Sequence, residues 1–117
     1  MNLSAMADLP YCYLTTTGRR TGTPHRIEIW FALAEGVVYL LAGSGEQADW
    51  VRNLVVSPDA VLEIGPTKTN ARARLLSAGS EEDALARKLL LQKYQPGSGE
   101  DLSGWGRSSV PVALDTA

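Results

Sequence analysis

The segment TTTGRRTGTPHRIEIWF, from Thr15 to Phe31, decides how the chain is read. It starts polar and Thr-rich, passes through Gly18-Arg19-Arg20-Thr21-Gly22, and alternates after Pro24. Arg26 and Glu28 point one way and Ile27, Ile29 and Phe31 the other, which is the period of a half-buried strand. Trp30 interrupts the polar side. The segment therefore predicts a strand, a hairpin loop and a second strand. Glycines at both ends of the loop let the main chain turn where a side chain would clash. Two fixed cations then stand beside backbone N–H groups, a combination that suits a phosphate.

Working outward, Tyr11 to Thr16 is aromatic and Thr-rich, as strands are. Glu35-Gly36 predicts a turn and Val37 to Ala42 a strand, buried on both faces because it is almost continuously apolar; with the preceding strand it makes a hairpin. Gly43-Ser44-Gly45 ends it. Ala48, Val51, Leu54 and Val55 recur at helical spacing, so Gln47 to Val56 predicts a short amphipathic helix, stopped by Ser57-Pro58-Asp59. Ala60 to Ile64 and about Thr69 to Ser77 form a second hairpin around Gly65-Pro66. Ser80-Glu81-Glu82-Asp83 resembles a capping box with Asp in place of Glu. It opens a helix to Tyr94 whose inward row is Leu85, Leu89 and Gln92 or Ala86, Leu90 and Lys93. Pro96 to Gly106 reads as a Gly/Ser-rich loop carrying Trp105, and Ser109 to Asp115 as a closing strand. The fold class is mainly β (α+β): about six short antiparallel strands with two to three helices, curled so that closure removes exposed edges. The open alternative is an α+β sandwich.

With 117 residues, 44% hydrophobic and 21% charged, the chain is expected to be one globular domain over residues 1–117. A net charge of -2 and a pI near 5.3 argue against bulk binding of nucleic acid or an anionic membrane, so an anion site must be local. One cysteine, Cys12, cannot form an internal disulfide, and one histidine, His25, leaves no metal-ligand spacing. Met1 to Pro10 lacks the pattern of a leader, and no run approaches the roughly 18 apolar residues of a membrane span, so a cytoplasmic location is expected.

Several residues could carry chemistry. Ala42-Gly43-Ser44, just before a helix, lets a flat ligand approach the backbone. Trp50 and Asn53 lie one helical turn apart; Trp50 reads either as core or as the aromatic wall of a pocket that Asn53 helps to line. His25 reads as a phosphate donor, a base or a strand-entry residue. Arg26, Arg72 and Arg74 read as solvated or salt-bridged sheet residues, with Glu28 as a partner for Arg72 or Arg74. No Ser-His-Asp or Cys-His set assembles, which argues against covalent hydrolysis.

The string Leu14-Thr15-Thr16-Thr17-Gly18-Arg19-Arg20-Thr21-Gly22-Thr23-Pro24, the strand-Gly-Ser segment and Trp50-x-x-Asn53-Leu54 resemble the deazaflavin-dependent nitroreductase family. The resemblance implies a split β-barrel of the flavin-reductase and FMN-binding type, with coenzyme F420 as cofactor. It matches Arg19, Arg20 and Thr21 to positions that hold the cofactor's phosphate and acidic tail, Ala42, Gly43 and Ser44 to the backbone along the deazaflavin ring, and Trp50 and Asn53 to helical contacts. His25 takes a position often occupied by Arg in that family, and the segment from Ser44 to Trp50 is shorter and lacks a Lys. Tyr94 and Trp105 are the candidates for the substrate side of the ring. The implied reaction passes a hydride from reduced deazaflavin to a small electron-poor acceptor such as a quinone, an enone or a nitroaromatic. Two rivals stay open at this point: an FMN-dependent reductase of the same fold, and a non-catalytic module for a flavin-like ligand. A homodimer is a further expectation.

Overall fold

The computed structural model describes residues 4–116. Seven strands form one antiparallel sheet: β1 Cys12–Thr17, β2 Pro24–Ile29, β3 Ala32–Ala34, β4 Val37–Ala42, β5 Asp59–Ile64, β6 Thr67–Leu75 and β7 Val110–Thr116. Their order is β2-β1-β5-β6-β7-β4-β3. β2 and β3 thus lie at opposite ends of the sheet, yet only Trp30 and Phe31 separate them. So short a link spans about 10 Å at full extension, and the sheet must curl until its edges meet. The result is a split barrel, closed by the chain at the Trp30-Phe31 corner.

Three helices accompany the sheet: α1 Asp49–Val56, α2 Glu81–Tyr94 and α3 Ser103–Ser108. The inner core packs Leu14, Phe31, Leu40, Leu62 and Leu114 with Val51 and Leu54 of α1. A second cluster lies outside the sheet, where Ala86 and Leu90 of α2 meet Tyr39, Leu41 and Ala113. β4 therefore buries both of its faces, as its continuous apolar run predicts. Of the two candidate rows on α2, the sheet takes Ala86 and Leu90, while Leu85 remains 37% exposed.

The corner is held by the last turn of α2. The Phe31 N–H donates to Tyr94 Oη (3.0 Å), and the Phe31 carbonyl accepts from Lys93 Nζ (2.9 Å). Tyr94 Oη in turn donates to the Pro10 carbonyl at 2.9 Å. Phe31 is fully buried, so these bonds satisfy backbone groups that no strand partner reaches.

Five features differ from the sequence reading. β3, three residues long, makes the seventh strand, and it, not β2, forms the hairpin with β4; β2 pairs with β1. Trp105 sits on α3 and not in a loop. The helix expected from Gln47 begins at Asp49, after a 3-10 turn over Gly45–Gln47. Glu28 is the partner of neither Arg72 nor Arg74, because Asp59 lies 3.1 Å from Arg72 and Arg74 is held between Glu82 (2.9 Å) and Asp115 (2.6 Å). The capping box also closes differently: Ser80 Oγ accepts from the Asp83 N–H (3.1 Å), but the Asp83 carboxylate accepts from the Gly79 N–H (2.8 Å). No described helix is long and apolar enough to cross a membrane.

Arg74, with the Tyr39 hydroxyl (2.7 Å), holds the Glu82 carboxyl down at about 2, from 4.5. A carboxylate with a depressed folded-state pKa stabilises the fold fully above its unfolded value, and that contribution is lost as pH falls. Urea midpoints are therefore expected to drop between pH 4.5 and about 2. In Glu82→Gln that part of the acid limb should flatten.

Candidate active site

The loop between β1 and β2 is closed by its own backbone. The Gly18 N–H donates to the Thr23 carbonyl (2.8 Å) and the Gly22 N–H to the Gly18 carbonyl (2.8 Å). Gly22 sits at φ +74°, a region that L side chains rarely adopt. Gly18 is needed for another reason: a Cβ there would lie 2.6 Å from His25 Nε2. The imidazole is thereby folded back over the loop, with Nε2 3.5 Å from Thr23 Oγ1, which shares a 2.7 Å hydrogen bond with Thr21 Oγ1.

The two arginines occupy different environments. Arg19 is held by α1: its backbone N–H (3.2 Å) and Nη1 (2.9 Å) donate to Asn53 Oδ1, and Nη2 donates to Asp49 (3.1 Å). Asn53 is buried and uses its amide nitrogen on Thr16 Oγ1 (3.1 Å). It thus ties β1, the loop and α1 together through one side chain. Arg20 is exposed and forms no ion pair among the described residues. One cation is fixed, and the other is free to reach a ligand.

A cleft of about 400 Å³ opens at this point. It gathers Arg19, Arg20, Thr21, His25, Trp50 and Asn53, all expected from sequence, with Asp49 and Ile27. Asp49 is the unforeseen charged member; only its placement opposite Arg19 reveals it.

Ala42, Gly43 and Ser44 lie elsewhere. Ala42 is buried and pairs with Val110 of β7, while Gly43 and Ser44 are exposed beyond the strand end. Gly43 lies against Trp105, whose indole would be 3.4 Å from a Cβ at that position. Trp105 in turn meets Trp30 edge-on (centroids 5.6 Å apart, 83°), and Trp30 stacks flat on Tyr94 (4.3 Å, 3°). A second cleft of about 250 Å³ is lined by Glu28, Ile29, Trp30, Leu41 and Trp105. Tyr94 is behind this wall: its ring backs Trp30, its hydroxyl is engaged at the Phe31 corner, and burial raises its pKa. Trp30 is the residue that sequence reasoning missed, and its one signal was an aromatic on the polar side of an alternating strand.

The two clefts share β2. His25 and Ile27 line the first, and Glu28, Ile29 and Trp30 reach the second, about 17 Å from His25 at roughly 3.3 Å per residue. Opposite β2 the chain runs back from Leu41 and Gly43 to Trp50 and Asn53. The edge strand is therefore cationic at one end, on the side of Ile27 and the inner core, and aromatic at the other, on the side of Leu41, Trp30 and Trp105 that faces the outer cluster. Among the described residues, no group of three or more His, Cys, Asp or Glu is placed to hold a metal ion. Burial pushes the Cys12 thiol up to about 12, so little reactive thiolate forms.

A curled antiparallel sheet left open along one strand defines the split-barrel class. The chain matches the profile of the F420H2-dependent quinone reductase family over residues 3–116, and it belongs to that family. It is accordingly an oxidoreductase whose cofactor is coenzyme F420. Solved structures share the fold across low sequence identity. An F420H2-dependent reductase, FDR-A, is 21% identical with a TM-score of 0.72, covering 93% of this chain and 95% of its own. The heme storage protein HutZ from Vibrio cholerae is 16% identical with a TM-score of 0.76, covering 100% of this chain and 92% of its own. A protein described as a domain-swapped dimer is 22% identical with a TM-score of 0.73, covering 94% and 81%.

Asn53→Ala should leave the Thr16 hydroxyl and the Arg19 N–H without their buried partner. A loss of about 1–3 kcal/mol in urea unfolding is expected.

Proposed function

We propose that the protein transfers a hydride from reduced F420 to a planar, electron-poor acceptor, a quinone before an enone or a nitroaromatic. The observation that carries this reading is the placement of two arginines and an aromatic cleft at opposite ends of one edge strand. The residues fit the group: cations meet its phosphate and acidic tail, and the open strand end at Gly43 admits a flat ring. When bound, the reduced deazaflavin supplies the hydride, and solvent supplies the proton that completes reduction of a quinone to a hydroquinone.

In this reading Arg20 grips the anionic end directly, while Arg19 is a cation oriented by Asn53 and Asp49. Thr21 and His25 add donors at the same end, and Trp50 covers it. Asn53 acts through Arg19, because both its polar atoms are engaged with the protein. At the other end Gly43 and Ser44 border the ring, and Trp30 and Trp105 are the walls against which the acceptor stacks, with Tyr94 keeping Trp30 flat. The protein's contribution is positioning and exclusion of water, which makes the reaction effectively intramolecular.

A homodimer in the cytoplasm belongs to the same reading. It is supported by the domain-swapped relative and by the uncovered outer face of β1, β5 and β6, where Thr15, Val61 and Asn70 border a groove of about 720 Å³. Arg72, Asp59 and Asp115 at its rim carry both signs of charge, as a self-complementary two-fold contact needs. Sedimentation velocity tests it; a monomer at tens of micromolar would remove the dimer from the reading.

Titration with F420 and with FMN tests the cofactor reading: F420 should bind and FMN should not compete. Arg20→Ala should weaken F420 by roughly 1.5–3 kcal/mol, the contribution of hydrogen bonds to a charged group, with urea stability unchanged. Arg19→Ala should weaken binding and also lower stability, because Arg19 ties the loop to α1. Unchanged affinity in both variants would remove the arginines from the site.

A further inference from the structure

We infer that Glu28 sorts acceptors by charge, admitting neutral and cationic planar rings to the aromatic cleft and turning away anionic ones. The inference rests on the acceptor site proposed above and adds the class of molecule it takes.

Four of the five residues lining that cleft are apolar or aromatic, and Glu28 is the only charged one. The walls are fixed, since Trp30 is stacked on a Tyr94 whose hydroxyl is pinned at the Phe31 corner. α3 is fixed as well: Gln95 Oε1 accepts from the Leu102 N–H (2.7 Å) at its start, and Arg87 Nη1 donates to the Gly106 carbonyl (2.7 Å) near its end. A slot between rigid rings recognises flatness, and its π faces add a preference for cations. Glu28 is the one full charge among the lining residues.

Among the described residues its carboxylate forms no salt bridge. The nearest outward-facing cation on β2, Arg26, is bonded to Glu63 (2.9 Å) and lies over the Tyr13 ring (3.8 Å). Arg72 and Arg74 are engaged with Asp59, Glu82 and Asp115. Lys93 donates to the Phe31 carbonyl and sits over the Phe31 ring at 3.6 Å. Among the described residues, the one hydrogen-bond partner of the Glu28 carboxylate is the Tyr13 hydroxyl, at a long 3.4 Å.

The split edge is therefore electrically polar, positive at Arg20, whose neighbour Arg19 is bonded to Asp49, and negative at Glu28. An anionic acceptor meets repulsion at the aromatic end and attraction at the wrong one. The same polarity opposes reversed binding of a cofactor that carries its anionic tail at one end.

The test compares 1,4-naphthoquinone with its 2-sulfonate. Each is titrated into the cofactor-free protein by tryptophan quenching, and each is turned over with reduced F420. Glu28→Gln should raise the sulfonate-to-neutral ratio, in affinity and in kcat/KM, roughly threefold to tenfold, the size expected of one charge pair across a partly solvated cleft. Glu28→Lys should raise it further, and added salt should shrink the difference between variants and parent. Ratios that are the same in the parent and both variants, with both quinones binding, overturn the sorting role and leave the acceptor site standing. Failure of the neutral quinone to quench the parent, in protein that still binds F420, overturns the acceptor site and the inference with it.

Discussion

Two residues must carry the chain from one edge of a seven-stranded sheet to the other, and the backbone of Phe31 pays no penalty there because Tyr94 and Lys93 receive it. A corner this tight cannot continue a β ladder, so its N–H and C=O would otherwise be buried without partners, at about 1–3 kcal/mol each. The last turn of α2 supplies them. The Tyr94 ring that delivers the hydroxyl also backs Trp30, so closure of the barrel and flatness of the aromatic cleft have one cause. Fold and site are joined at that corner.

The same economy governs the cationic end. Asn53 sits on α1, yet its amide satisfies a strand hydroxyl, a loop N–H and a guanidinium. A loop with glycines at 18 and 22 is otherwise free to adopt many shapes, and an arginine on it would be a poor fixed charge. Asn53 and Asp49 remove that freedom from Arg19 and leave it to Arg20. Preorganised and adaptable cations stand side by side, which suits a cofactor that must be held and also exchanged.

Much of this was legible in the sequence where periodicity or turn chemistry was strong. The alternation from Arg26 to Ile29, the apolar run of β4 and the Ser80 cap each mapped onto the structure, while Trp30 and Phe31, read as the strand's continuation, form the corner. The Gly-flanked arginines also found a cleft with the nearby His25 and with Trp50 and Asn53, which are distant in sequence. What escaped lacks local signal. β3 is too short to show a period, and α3 has two glycines in six residues and is held by Arg87 and Gln95 from α2 and the turn that follows it. Strand partners are non-local by nature, so nothing near β4 announces that it pairs with β3 and β7 and not with β2. Trp30 was visible only as an exception, and its meaning depended on Tyr94, 64 positions away.

The place of β7 has a consequence for the order in which this protein assembles. β1 with β2, β3 with β4 and β5 with β6 are hairpins that close over short loops and form early. β7 alone joins β6 to β4, and without it the sheet falls into a four-stranded and a two-stranded fragment. Its contacts with β4 span the longest loop in the ladder, so the entropy of that closure is met late. Until residues 110–116 dock, Leu41 and Gly43 have no fixed position relative to β2. A chain in which β7 has not docked holds the arginine loop but lacks the β4 wall of the aromatic cleft, so the two ends of the edge strand take shape at different stages.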